Sequence, residues 1–159
     1  MNLANNFKIK SLRSEEFSDL FTLSDAELSK RGIIRMIVDE KPGFPCRVSL
    51  EDAEIGEDVL LLSCQHHKTN SPYQSTGPIF VRKIAKTADL GVNEIPQMLT
   101  HRLLSVRGFN ELGMMIAAMV TEGTSLREIL NKTFDNQEIS YIHIHNAKPG
   151  CYNCVAERV

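Results

Sequence analysis

Glu138-Ile-Ser-Tyr-Ile-His-Ile-His-Asn-Ala-Lys-Pro-Gly-Cys-Tyr-Asn-Cys-Val-Ala-Glu-Arg-Val159 carries two of the chain's five histidines and two of its four cysteines. Side chains on a strand alternate between its faces. Ile142 and Ile144 therefore share one face, which their character assigns to the core, while Tyr141, His143 and His145 share the other. The two imidazoles then stand side by side, close enough to hold one metal ion or one substrate group. Pro149-Gly150 is a turn signal, because proline fixes φ and glycine tolerates positive φ. Cys151 emerges directly after that turn, and Val155 to Val159 is expected to return alongside the histidine strand.

The segments preceding this ribbon supply the rest of the fold. Phe7 to Leu12 reads as a first strand, and Ser14 opens a short helix with Phe17, Leu20 and Phe21 on one face. A second short helix starts at Ser24, where Glu27 completes a capping box and Gly32 ends the element. Ile33 to Asp39 is a strand. Lys41 to Leu50 is a proline-glycine bend delivering Cys46 and Arg47 onto a short strand. The apolar run Val59 to Cys64 predicts a central strand covered on both faces, ending at His66-His67. On a strand those two imidazoles would point opposite ways. Ile79 to Ile84 is another strand, carrying Arg82, and Pro96 to Arg102 allows one helical turn. Arg102 to Phe109 and Met114 to Thr121 form a hairpin pair. Ser125 and Glu128 cap an amphipathic helix running to about Phe134, with Leu126, Ile129, Leu130 and Phe134 in one stripe.

Neighbouring strands joined by short turns, with two short N-terminal helices and one C-terminal amphipathic helix, define an α+β fold. The sheet is expected to be mixed but largely antiparallel, within a single domain over residues 1–159. The absence of regular strand-helix alternation argues against a doubly wound sheet.

Composition narrows the function classes. A chain of 159 residues with 42% hydrophobic content is about one domain long. Its formal net charge of -2 and dispersed Lys and Arg give no footprint for nucleic acid. No apolar run approaches the roughly 20 residues that cross a bilayer, and the first ten residues lack the apolar centre of a signal peptide. Four unevenly spaced cysteines (Cys46, Cys64, Cys151, Cys154) do not make a secreted disulfide framework. The expectation is a soluble cytoplasmic protein with reduced thiols and no membrane partner.

Two chemistries compete for the C-terminal ribbon. In the first, Cys151 or Cys46 is a nucleophile or redox centre. A thiolate is favoured beside a cation or an imidazole, so His143 or His145 serves as base to Cys151, and Arg47 adjoins Cys46. Arg47, Arg82, Arg107 and Tyr141 are the candidate contacts to a small anionic ligand, since a guanidinium fork suits a carboxylate or phosphate. In the second, His143, His145, Cys151 and Cys154 are four ligands of a tetrahedral zinc; a three-ligand variant leaves one position for water and does without Cys154. A third reading, from another class, is a non-catalytic ligand-binding or interaction module whose motifs serve the fold. No glycine-rich phosphate loop, Gly-x-Ser-x-Gly elbow or dinucleotide fingerprint is present.

Several phrases resemble an uncharacterised bacterial family, domain of unknown function 1203. They are Pro42 to Leu50, Ser71-Pro72-Tyr73, Ile79 to Arg82, Leu104 to Arg107, Ile142 to Ala147, and Pro149 to Tyr152. The resemblance brings no activity. It implies signature residues Cys46, Arg47, Arg82, Arg107, His143, His145 and Cys151, while Cys64 and Cys154 fall outside the pattern.

Overall fold

The computed structural model describes residues 5–159. Among these, five strands make the first sheet: β1 (Phe7–Lys10), β5 (Leu103–Phe109), β6 (Met115–Glu122), β7 (Tyr141–Asn146) and β8 (Tyr152–Arg158), in the order β1-β8-β7-β5-β6. The second sheet has three: β2 (Ile34–Ile37), β3 (Asp58–His67) and β4 (Ser75–Arg82), with β3 in the middle. Every strand pair in both sheets is antiparallel. The α+β class and the antiparallel pairing expected from the sequence hold, with the strands divided between two sheets.

Three α-helices accompany them among the described residues: α1 (Asp25–Lys30), α2 (Gln97–Thr100) and α3 (Leu126–Thr133). The capping box of α1 forms as expected. Ser24 Oγ accepts from the Glu27 amide at 3.2 Å, and the Glu27 carboxylate accepts from the Ser24 amide at 2.7 Å. Gly32 at φ 72 then ends the turn in a conformation glycine adopts without a Cβ penalty.

Two local expectations are corrected. The segment after Ser14 is two 3-10 turns, Ser14–Glu16 and Ser18–Thr22, broken at Phe17. Phe17, at φ -124 and ψ -16 outside the helical region, is buried in the cluster that also holds Leu28, Leu60 and Leu62. Ser125 makes no side-chain cap to α3, because a 3-10 turn over Gly123–Ser125 leads into the helix and gives Ser125 φ -99, ψ 4 rather than an extended cap.

The cores explain where the ribbon sits. Ile142 and Ile144 are fully buried with Leu104, Val106, Leu126, Leu130 and Phe134, so α3 covers one face of the five-stranded sheet. Each such side chain contributes roughly 1.5–3 kcal/mol on leaving water. The first half of β3 is covered on both faces, Leu60 and Leu62 by one cluster and Val59 by another. Beyond Cys64 the strand leaves this core and crosses the other face of β7, carrying His66 and His67 with it.

Candidate functional site

The face of β7 opposite the isoleucines bears Tyr141, His143 and His145, as the alternation predicts. His143 and His145 are 5% and 2% exposed, and their ring centres are 6.2 Å apart. They are not alone. The register of β3 on β4 shifts between Gln65 and His67, a bulge that leaves His66 without a partner residue. The extra residue cancels the alternation, so both imidazoles reach β7. His66 lies 5.2 Å from His145 and 6.3 Å from His143, and His67 lies 4.7 Å from His143. This corrects the expectation that His66 and His67 point apart.

A second bulge aligns the aromatic floor. Ile144 pairs with Cys154 but His145 pairs with Tyr152, so Asn153 is the extra residue on β8. Tyr152 therefore shares the imidazole side and stacks on His66 at 4.8 Å, with the planes 10° apart. Phe109, opposite Tyr141 across β5 and β7, closes the other end against His67 at 4.3 Å.

Hydrogen bonds fix the tautomers of two rings. A carbonyl only accepts, so His67 Nδ1 donates to the Tyr73 carbonyl at 2.8 Å, and Nε2 accepts from the Tyr141 hydroxyl at 2.6 Å. His145 Nδ1 donates to the Gly150 carbonyl at 2.9 Å, which leaves a lone pair on Nε2. His66 Nδ1 and His143 Nδ1 are buried and make no hydrogen bond of good geometry among the described residues. Burial, reinforced by the neighbouring imidazoles and Arg107, pushes His143 down to about 3. Burial likewise pushes His145 down to about 4, against the opposing pull of the Gly150 carbonyl. Both rings are neutral at pH 7.

Arg107 completes this shelf. Its Nε donates to Ser105 Oγ at 3.1 Å, which folds the side chain back along β5 toward the residue opposite His145. Among the described residues it has no carboxylate partner. Burial holds its guanidinium below the ordinary value. On its outer side the shelf is open, because Ser105 and Arg107 pair with the exposed Val120 and Ala118 of β6.

The other sequence candidates lie elsewhere. Cys46 is 0% exposed; its sulfur accepts the amides of Ser49 and Arg82 at 3.5 and 3.4 Å. Arg47 is 1% exposed and braces the turn, donating from Nε to the Tyr152 carbonyl at 2.7 Å and from Nη1 to the Pro45 carbonyl at 2.5 Å. Burial lowers it to about 10, opposed by the neighbouring thiols of Cys151, Cys46 and Cys154. Arg82 spends its fork on Glu57 at 2.8 Å and Ser49 at 3.2 Å. Cys151 is half-buried and, among the described residues, makes no hydrogen bond to either imidazole, since His145 Nδ1 is already given to Gly150.

Cys154 is removed from the metal set altogether. It pairs with Ile144, sits in the apolar core on the far face of the sheet, and burial pushes its thiol up to about 12. As the side chains stand, no group of three or more His, Cys, Asp or Glu among the described residues converges to hold a metal ion. A cleft of about 1110 Å³ is also separate: Lys41, Ser49, Glu51, Arg82, Lys86 and His101 line it, and none of the shelf imidazoles does. Size and chemistry disagree here. The unpartnered nitrogens and the unpaired Arg107 place the candidate site on the shelf, since polar groups converging in a dry setting mark function better than volume does.

Fold and site together define an α+β protein of two antiparallel sheets, with a histidine-rich shelf where one sheet crosses the other. The chain belongs to the family described as "Protein of unknown function (DUF1203)", whose model matches residues 43–158. No curated protein and no solved structure matches it. The family segment contains the whole shelf, and β1, α1 and β2 precede it.

Proposed function

We propose that the shelf binds a small carboxylate- or phosphate-bearing molecule, in a small enzyme of the reducing cytoplasm, and that the bound negative charge offsets the burial that holds the imidazoles unprotonated, so that one of them accepts a proton from the ligand. The observation that carries this reading is Arg107: a guanidinium without a carboxylate, folded toward an imidazole whose tautomer is fixed. The terminal nitrogens of that fork are matched to two oxygens of an anion. His145 Nε2, with its lone pair fixed by the Gly150 carbonyl, is a proton acceptor on the same face as that fork, opposite the Ser105 to which Arg107 Nε is bonded. Tyr141, tied to His67, lines the rim as a neutral hydroxyl, its acidity lowered by burial. Four free thiols are compatible with a reducing compartment.

Calorimetric titration with inorganic phosphate and with simple mono- and dicarboxylates tests the reading. Binding by the native chain that disappears in Arg107→Met supports it. Binding that survives Arg107→Met moves the anion elsewhere, and no binding by any of these probes removes the reading.

A further inference from the structure

We infer that His66, His143 and His145 form a three-imidazole site for a divalent ion of the zinc class. The anion held by Arg107 would be its exogenous ligand. Only that last role rests on the anion binding proposed above; with the ion bound, the His145 Nε2 lone pair is its ligand and no longer accepts a proton, so the two readings share the anion and not the base.

Ring spacing is the first support. Imidazole nitrogens bind zinc at about 2.0–2.1 Å in a tetrahedral arrangement, which sets the ring centres roughly 5 Å from one another. The three rings here are separated by 5.2, 6.2 and 6.3 Å. They must draw inward by about an ångström and turn to meet one ion, which is why they do not converge as they stand.

The second support is independent of spacing. His143 Nδ1 and His66 Nδ1 are both buried and make no hydrogen bond of good geometry among the described residues, the Cys64 backbone offering His66 only a loose one. A buried polar atom left unpaired costs about 1–3 kcal/mol, and an ion is one of the few things that removes such a cost at two rings together. The third donor, His145 Nε2, is aimed by the opposite nitrogen's hydrogen bond to the Gly150 carbonyl. That outer bond is how protein-bound metals usually have their imidazoles oriented. His67 is excluded by the same accounting, since Tyr73 and Tyr141 occupy both of its nitrogens.

Charge accounts for the fourth position. Three neutral imidazoles leave a dication uncompensated, and Arg107 adds a further positive charge beside it. An anion bridging the ion and the guanidinium relieves both. A three-imidazole set with one exchangeable position is also the arrangement of catalytic zinc, in contrast to closed structural sites.

The test uses the full chain without a histidine tag, stripped with EDTA and then titrated with Zn²⁺ by calorimetry and with Co²⁺ by visible spectroscopy. One equivalent should bind, with the d–d bands of tetrahedral Co²⁺. His143→Ala and His66→Ala should each weaken Zn²⁺ binding by roughly a hundredfold or more. His67→Phe and Cys151→Ser should leave it unchanged. His66 is the less buried ligand, so His66→Ala keeps the test decisive should His143→Ala fail to fold. Absence of binding overturns the inference, as does binding that survives His66→Ala or disappears with Cys151→Ser. Phosphate titration in EDTA separates the two proposals. If phosphate binds and Zn²⁺ does not, the metal site alone falls; if Zn²⁺ binds and no anion does, the function proposed above falls alone.

Discussion

Acidification from pH 7 to pH 5 should destabilise the metal-free protein through its buried imidazoles. His143 and His145 are held near 3 and 4 by burial, against 6.5 in an unfolded chain. The folded state therefore stays unprotonated in this window while the unfolded state takes up a proton at each ring. Depressed folded values contribute stability that is fully present above about pH 6.5 and is lost progressively as pH falls toward the folded values. At pH 5 the loss is about 2 kcal/mol for each ring and about 4 kcal/mol for the pair. His66, also lowered by burial, adds in the same direction. Glu57, lowered through its bond to Arg82 despite burial, keeps its stabilising contribution until pH falls through the ordinary carboxylate range, and so adds little to the change between pH 7 and 5.

A loss of about 4 kcal/mol is a large share of the 5–15 kcal/mol that domains usually have. It corresponds to a drop of roughly 8–16 °C in melting temperature for a chain of this size. Thermal unfolding in EDTA at pH 7, 6 and 5 reads it directly. His143→Phe, among Phe109, His67 and Tyr152, replaces the ring by one that cannot titrate and should remove about half of the slope. A melting temperature flat between pH 7 and 5 would refute the reasoning, because it would mean these rings are hydrated and protonate equally in both states.

Three further outcomes are expected. Gly123→Ala should cost about 3 kcal/mol or more, because the added Cβ would overlap the Leu99 carbonyl oxygen and come within 2.8 Å of the Leu99 carbonyl carbon; a urea melt within experimental error of the native curve would contradict the packing of α2 on that turn. Tyr141→Phe should cost about 1–3 kcal/mol by leaving His67 Nε2 without its donor, and the His67 Nε2 resonance in an ¹⁵N spectrum should move while the fold's far-ultraviolet signal stays. Under native conditions a thiol reagent should modify Cys64 and Cys151 and spare Cys46 and Cys154 until the chain unfolds; mass mapping that finds Cys46 among the early sites would show that its pocket opens.

What was legible in the sequence follows the range of the forces involved. Alternation alone placed Ile142 and Ile144 in the core and His143 and His145 together on the other face, because a strand's period is fixed by its own backbone. The box from Ser24 to Glu27 was legible for the same reason, being closed within one turn. Where a tertiary contact intervened, local rules lost. Phe17 broke a helix by reaching a core, and the turn over Gly123–Ser125 took Ser125 out of its cap. The bulge at His66 is the consequential case. Strict alternation sends His66 and His67 to opposite faces, and the only hint otherwise is a doubled histidine at a strand's end. One extra residue, accommodated where β3 leaves the core around Leu60 and Leu62 and crosses β7, brings both imidazoles to the shelf. The same geometry withdraws Cys154: the bulge at Asn153 keeps Cys154 level with Ile144, so a spacing that looks like a ligand pair is split across the sheet. The proposed set replaces Cys151, in the turn, and Cys154, on β8, by one imidazole from β3, and so lies between sheets rather than within one ribbon. Ring positions there depend on how the sheets pack, so His66 couples any ligand on the shelf to the contact between the sheets. A ligand that draws His66 toward His143 would therefore also raise the cost of separating the sheets, and should raise the melting temperature of the whole chain with it.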